Sequence, residues 1–168
     1  SLAVMAGLGD GDAFTPVLQT APQRAVWLAV NLLTAILAAS VISLFQATIE
    51  KVVALAVLMP IVASMGGIAG TQSLTVLIRA MAMGQINDRT EIWLVRREIL
   101  VSALNGLIWA FVMALVTTYW FDDSTLGLII AFAIIVNLLT AGIAGASLPL
   151  LLERLKIDPA LAGGVILT

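Results

Sequence analysis

The spacing of the charged side chains is the feature that most constrains what this chain can fold into. Its 168 residues include eight Lys and Arg and ten Asp and Glu, with no His and no Cys. The charges leave charge-free runs at residues 25–49, 52–78, 99–121, 124–152 and 159–168. A helix rises about 1.5 Å per residue, so about 20 apolar residues cross the roughly 30 Å hydrocarbon core of a bilayer. Each of the first four runs is long enough to span a membrane.

Composition supports this interpretation, because 61% of the residues are hydrophobic and only 11% are charged. Soluble domains are about half apolar and a quarter charged. We therefore predict an all-α integral membrane protein, a five-helix bundle whose fifth helix is incomplete. The fifth helix is expected to start after Asp158, because proline is favoured in a first helical turn. The predicted transmembrane domain is 24–168, with helices at about 25–49, 52–83, 99–121, 124–152 and 159–168.

Residues 1–23 differ from the rest and are predicted to be a cytoplasmic lead-in to the first helix. Pro16 and Pro22 are expected to break any continuous helix there. The sequence Asp10-Gly11-Asp12 suggests a turn or linker, and the glycine and glutamate that an EF-hand requires do not follow it.

The basic residues predict the orientation of the chain. Seven of the eight Lys and Arg fall on the side of the predicted bundle that carries the start of the chain, and only Lys51 falls on the other. The positive-inside rule therefore places the N-terminus in the cytoplasm. The connection 79–98 is the one sizeable polar segment, and we expect an amphipathic piece lying on the cytoplasmic surface. Its mixed charge argues against a nucleic-acid partner.

The stretch 59–77, MPIVASMGGIAGTQSLTVL, is unusual for a membrane span. It combines Pro60 and three glycines with several hydroxyl and amide side chains, a mixture that weakens a helix and exposes backbone carbonyls. Such backbone is tolerated in a membrane only where protein covers it or where it lines a wet cavity. The small residues therefore serve either close helix packing or a permeation path.

Enzymatic chemistry is not predicted. The sequence has no His or Cys, no phosphate-binding GxxxxGK[ST] loop, and no charge inside the four long runs. A proton-coupled carrier would be expected to place a titratable group at mid-membrane depth. The sequence is compatible with passive permeation of an ion past carbonyls, hydroxyls and amides.

Two stretches resemble a known family. Pro60–Ser73 (PIVASMGGIAGTQS) and Asn137–Thr168 are similar to the second helix and to the fourth-to-fifth-helix region of the MgtE family of magnesium channels and transporters, and Met5–Arg24 resembles that family's linker to the first helix. The resemblance implies a homodimer in the bacterial inner membrane, with a cation pore between the second and fifth helices of both subunits. It further implies that Mg²⁺ is transported, and is sensed by cytoplasmic helical and CBS domains that this sequence lacks.

The resemblance also implies site residues. Asp158 is a candidate metal ligand at the cytoplasmic mouth, although it could equally cap the fifth helix. Where family members often have Asn, this chain has Ile68, which cannot supply an amide oxygen, and the pattern also departs at 162–165. The family's pore carboxylate is expected beyond Thr168. Candidate pore-lining residues are Gly66, Gly67, Ile68, Gly70, Thr71, Gln72, Asn137, Ala160 and Gly164.

Two other classes of function stay open at this point. A secondary transporter with a broken second helix would explain the glycines equally well. A membrane-anchored assembly subunit would use its glycine faces for packing alone and would carry no flux.

Overall fold

The computed structural model describes residues 16–167, and helices make up nearly all of that range. In this range α1, α3, α4 and α5 are long and apolar enough to cross a membrane, which confirms an all-α, multi-pass architecture. The first 15 residues of the predicted lead-in, including Asp10-Gly11-Asp12, and Thr168 lie outside the described residues. The helices are α1 (Val17–Ser43), α2 (Gln46–Lys51), α3 (Val53–Ala82), α4 (Asp88–Phe121), α5 (Ser124–Arg154) and α6 (Pro159–Leu167).

The first span begins and ends earlier than predicted. Helix α1 starts at Val17 and continues through Pro22, so the expectation of a break there is wrong. Pro22 is the sixth residue of α1, so the helix loses there the one backbone hydrogen bond that the missing N–H would donate, and it continues past the proline. At its other end α1 stops at Ser43, and the separate short helix α2 covers the last residues of the predicted first span.

Helix α4 begins at Asp88, eleven residues before the predicted start. Asn87 caps it: its Oδ1 accepts from the backbone N–H of Thr90 at 3.0 Å, and the Thr90 hydroxyl accepts from the N–H of Asn87 at 2.8 Å. This reciprocal capping box fixes the helix start. The expectation of a separate amphipathic piece is therefore wrong, since that segment forms the first turns of a helix about 51 Å long.

Helix α5 is the centre of the bundle and packs against α3, α4 and α6. Small residues on α5 permit this close approach. A Cβ at Gly142 would overlap the side chain of Ser102 on α4, and one at Gly145 would overlap the carbonyl oxygen of Gly70 on α3. The larger apolar cluster of the core consists of Leu58, Ala110, Met113, Leu126, Ile130, Ile134 and Leu138.

Helix α1 is the least integrated of the long helices. Its most apolar window contains no residue that is buried inside the chain, and its main contacts are with α6. By contrast, α4 and α5 are joined by two residues alone. Asp122 ends α4 in a left-handed conformation, and the Asp123 carboxylate accepts from the N–H of Thr125 at 2.8 Å to start α5.

Candidate functional site on α3

Helix α3 is uninterrupted through Pro60 and all its glycines. The Thr71 hydroxyl donates to the carbonyl oxygen of Gly67 at 2.8 Å, and the Thr75 hydroxyl donates to that of Thr71 at 2.7 Å. The expectation of a weakened helix with exposed carbonyls is therefore not met, because these hydroxyls cover carbonyls of their own helix. The polar surface of this helix is therefore formed mainly by its side chains.

The three glycines of α3 divide between two environments. A Cβ at Gly66 would lie 2.6 Å from Oδ1 of Asn137, and one at Gly70 would lie 2.9 Å from the side chain of Leu167 on α6. Both glycines are needed for close approach of neighbouring helices. A Cβ at Gly67 would meet nothing within 4 Å. Close packing thus explains Gly66 and Gly70 and leaves Gly67 on an open face.

That open face, which we call the outer face of α3, borders a shallow cavity of about 590 Å³. All its residues are exposed except the half-buried Gly67, and Ile68 is 60% exposed. It brings together four of the predicted pore residues: Gly67, Ile68, Thr71 and Gln72. The outer face consists of Ser64, Gly67, Ile68, Thr71, Gln72, Thr75 and Val76.

The remaining pore candidates lie elsewhere. The Asn137 side chain lies between α3 and α5, where its Nδ2 donates to the carbonyl oxygen of Val62 at 2.6 Å. Ala160 and Gly164 lie about one turn apart on α6, and both are half-buried. Because α6 packs against α3 and α5, these two residues are close to the bundle but are not on the outer face of α3.

Asp158 acts as a helix cap in this structure. Its Oδ1 accepts from the N–H of Ala160 at 2.9 Å, and its own carbonyl oxygen accepts from the N–H of Ala162 at 3.1 Å. The carboxylate is exposed at the start of α6. Across residues 16–167 no three His, Cys, Asp or Glu side chains are grouped closely enough to hold a metal ion. A cation in this part of the chain would therefore meet mainly neutral oxygen atoms.

Sequence reasoning missed one acidic residue. Glu98 is 4% exposed and lies within α4, one residue before the predicted third span, so it is a buried helical residue and not part of a loop. The Ser73 hydroxyl donates to its Oε2 at 3.0 Å, and Nη1 of Arg97 donates to its Oε1 at 2.8 Å. The charge-free runs place Glu98 at the end of the polar connection 79–98. The polar stripe Glu98, Ser102 and Asn105, spaced at i, i+4 and i+7, was the available signal.

Comparison with known proteins agrees with this architecture. Residues 59–168 match the family model for MgtE, described as a divalent cation transporter. The chain is 34% identical over 154 residues to the magnesium transporter MgtE of Bacillus subtilis, covering 92% of this chain and 34% of that protein. It is 30% identical over 164 residues to that of Enterococcus faecalis (98% and 36%) and 33% identical over 138 residues to that of Thermus thermophilus (82% and 30%).

The chain spans about a third of the length of the curated relatives it matches. The family match nevertheless covers well over half of this chain and includes both stretches on which the resemblance rested. It contains the outer face of α3, the buried Glu98 and the whole of α5 and α6. The chain therefore belongs to the MgtE family of divalent cation transporters.

Proposed function

We propose that this chain forms the membrane part of a magnesium transport protein and that its cation path runs along the outer face of α3. The observation that carries the proposal is the exposure of Thr71, Gln72 and Thr75 within a membrane span. Polar side chains are costly when they face lipid, so they usually face a partner or water. The open position at Gly67 leaves room beside them.

A path enclosed by protein needs a second wall, which a second copy of the chain would supply. A parallel homodimer with α3 near its two-fold axis would place two outer faces opposite each other. Helix α6, with Ala160 and Gly164, would complete the wall as the start of a fifth span. We further propose a cytoplasmic N-terminus, because seven of the eight Lys and Arg fall on the predicted side of the bundle that carries the start of the chain. We propose a bacterial inner membrane because the relatives compared above are bacterial proteins.

The chemistry of this face suits a hydrated ion. Mg²⁺ holds six oxygens at about 2.0–2.1 Å and loses water reluctantly, so hydroxyl and amide groups can hold its water shell without binding it directly. The side chain of Ile68 has no oxygen atom. The polar groups nearest to Ile68 on this face are the side chains of Thr71 and Gln72. Asp158 would add negative charge at the mouth. Regulation by Mg²⁺ would involve parts of the protein outside these residues.

Uptake of Mg²⁺ into proteoliposomes that contain the full-length protein tests this proposal. Dye-reported uptake well above that of protein-free vesicles is the expected result, and absence of uptake would instead favour an assembly subunit. Single cysteines at Thr71 or Gln72 should crosslink between subunits. A cysteine at Leu128, which is exposed on α5, is the matched control and should not crosslink. Crosslinking at Leu128 alone would contradict the dimer arrangement.

The buried Glu98 favours a second candidate, a coupled secondary transporter. Acids buried within a membrane often bind a coupling ion in such proteins, and the buried Glu98 lies next to the apolar run of α4. A channel would move Mg²⁺ down its own electrochemical gradient alone. A carrier would accumulate Mg²⁺ when only a pH or Na⁺ gradient is imposed, so that measurement separates the two mechanisms.

A further inference from the structure

A second cavity lies between α3 and α4 and adjoins the outer face of α3, with which it shares Ile68, Gln72 and Val76. This α3–α4 groove has a volume of about 490 Å³ and reaches Leu138 of α5. Its polar lining comes from both helices: Gln72 and Ser73 of α3, and Arg97, Glu98, Ser102 and Asn105 of α4.

Glu98 is the acidic side chain of this groove, and Arg97 is its basic neighbour. A carboxylate that is 4% exposed is costly unless it is paired. Its partners are the Ser73 hydroxyl and the guanidinium of Arg97, whose side chain is 49% exposed. Arg97 precedes Glu98 directly in α4 and reaches the carboxylate from the open side of the groove. Each carboxylate oxygen therefore has one donor, and the donor to Oε1 is a half-exposed side chain at the edge of the groove.

The neighbouring groups are also oxygen donors. Nδ2 of Asn105 donates to the carbonyl oxygen of Val101 at 3.0 Å. The side-chain amide oxygen of Asn105 is therefore the atom that is available to a ligand. The Ser102 hydroxyl lies one turn from Glu98 on the same face of α4. Mg²⁺-like cations are bound by one or two carboxylates while they keep several waters. Six waters at about 30 Å³ each occupy about 180 Å³, so the groove has room for a hydrated ion.

We propose that the α3–α4 groove is a binding site for a hard divalent cation, with Glu98 as its charged ligand and with Ser102, Asn105 and Gln72 meeting the water shell. A bound cation takes the place of the Arg97 guanidinium at Oε1 of Glu98. Arg97 then swings toward solvent, where half of its side chain already lies. The site does not depend on the proposed path along the outer face, because its occupancy is measured without flux.

Trp109 provides a local reporter, because it also lines the groove. Its side chain leans toward the start of α4, and hence toward Asn105, as helical side chains do. Tb³⁺, a hard oxygen-seeking ion, is added to the full-length protein in detergent, and emission sensitised by tryptophan is recorded. The expected result is emission that Mg²⁺ competes away and that Trp109→Phe removes.

Four variants then test the ligand assignment. Glu98→Gln should weaken Tb³⁺ binding at least about tenfold, because it removes the one carboxylate. Arg97→Gln should strengthen binding, since it removes the competing cation. Asn105→Leu, at an exposed position that packing does not depend on, should weaken it moderately. Glu50→Gln, an exposed acid on α2, should change nothing.

The opposite signs for Arg97 and Glu98 distinguish a site from a merely structural ion pair, for which both substitutions would act in the same direction. Should Glu98→Gln fail to fold, Arg97→Gln and Asn105→Leu carry the test alone. Trp109-dependent emission that is absent, or that is insensitive to these variants, overturns the proposal. Absence of Trp109-dependent emission from a protein that takes up Mg²⁺ normally would overturn the proposed site and leave the proposed path unaffected.

Discussion

The side chain of Asn137 and the backbone of Val62 are joined by a 2.6 Å hydrogen bond from Nδ2 to the carbonyl oxygen, across the interface of α5 and α3. The glycine one turn further along α3, Gly66, makes this contact possible, because any larger residue would occupy the position of the amide. The pair fixes the central helix of the bundle against the helix that carries the candidate path. The position of the outer face therefore depends on it.

Replacing Asn137 with Leu should lower the free energy of unfolding by about 0.5–1.5 kcal/mol, since one interhelical hydrogen bond is lost. Thermal or denaturant unfolding in detergent measures the change. Thr140→Val is the matched control, because the Thr140 hydroxyl bonds to the carbonyl oxygen of Val136 within its own helix. If the two substitutions lower the free energy of unfolding equally, the interhelical hydrogen bond contributes no more than the intrahelical one.

Valine at Gly67 and valine at Gly66 should have different effects. The Gly67 position is open, so Gly67→Val should leave unfolding nearly unchanged and lower Mg²⁺ uptake several-fold by narrowing the path. Gly66→Val would collide with Asn137 and should destabilise the protein by about 1–3 kcal/mol, as overpacking does. Uptake and unfolding are measured on both variants. Unchanged uptake in a folded Gly67→Val protein would count against a path at this face.

Asp158 allows its two proposed roles to be separated. Asn caps helices as well as Asp does, so Asp158→Asn should keep the start of α6 and remove only the charge. We expect reduced Mg²⁺ uptake at low ionic strength, with a difference that shrinks as salt screens the mouth. Asp158→Ala should in addition weaken the helix start. If the Asn variant transports like the unmodified protein at every salt concentration, Asp158 is a cap alone.

Much of this fold could be predicted from the sequence, because bilayer thickness converts charge-free length directly into spans. The starts of α1 and α4 could not be predicted in this way, because charge-free runs treat polar residues as loop residues. The capping box at Asn87 sets the start of α4 instead.

The candidate site was only partly predictable. Sequence reasoning could group Gly66, Gly67 and Gly70 on one helix, but it could not decide which of them faces a neighbour. That division depends on the positions of Asn137 and Leu167, which are about 70 and 100 residues away along the chain. The burial of Glu98 likewise depends on Ser73, a partner from another helix.

The most direct test of the proposed cation path is chemical modification at Thr71 during transport. A single cysteine at Thr71 in the full-length protein, treated with a positively charged methanethiosulfonate reagent in proteoliposomes, should lose most of its Mg²⁺ uptake. The same cysteine and reagent at Leu128, which faces outward on α5, should leave uptake unchanged. Undiminished uptake after complete modification at Thr71 would contradict a cation path along this face of α3.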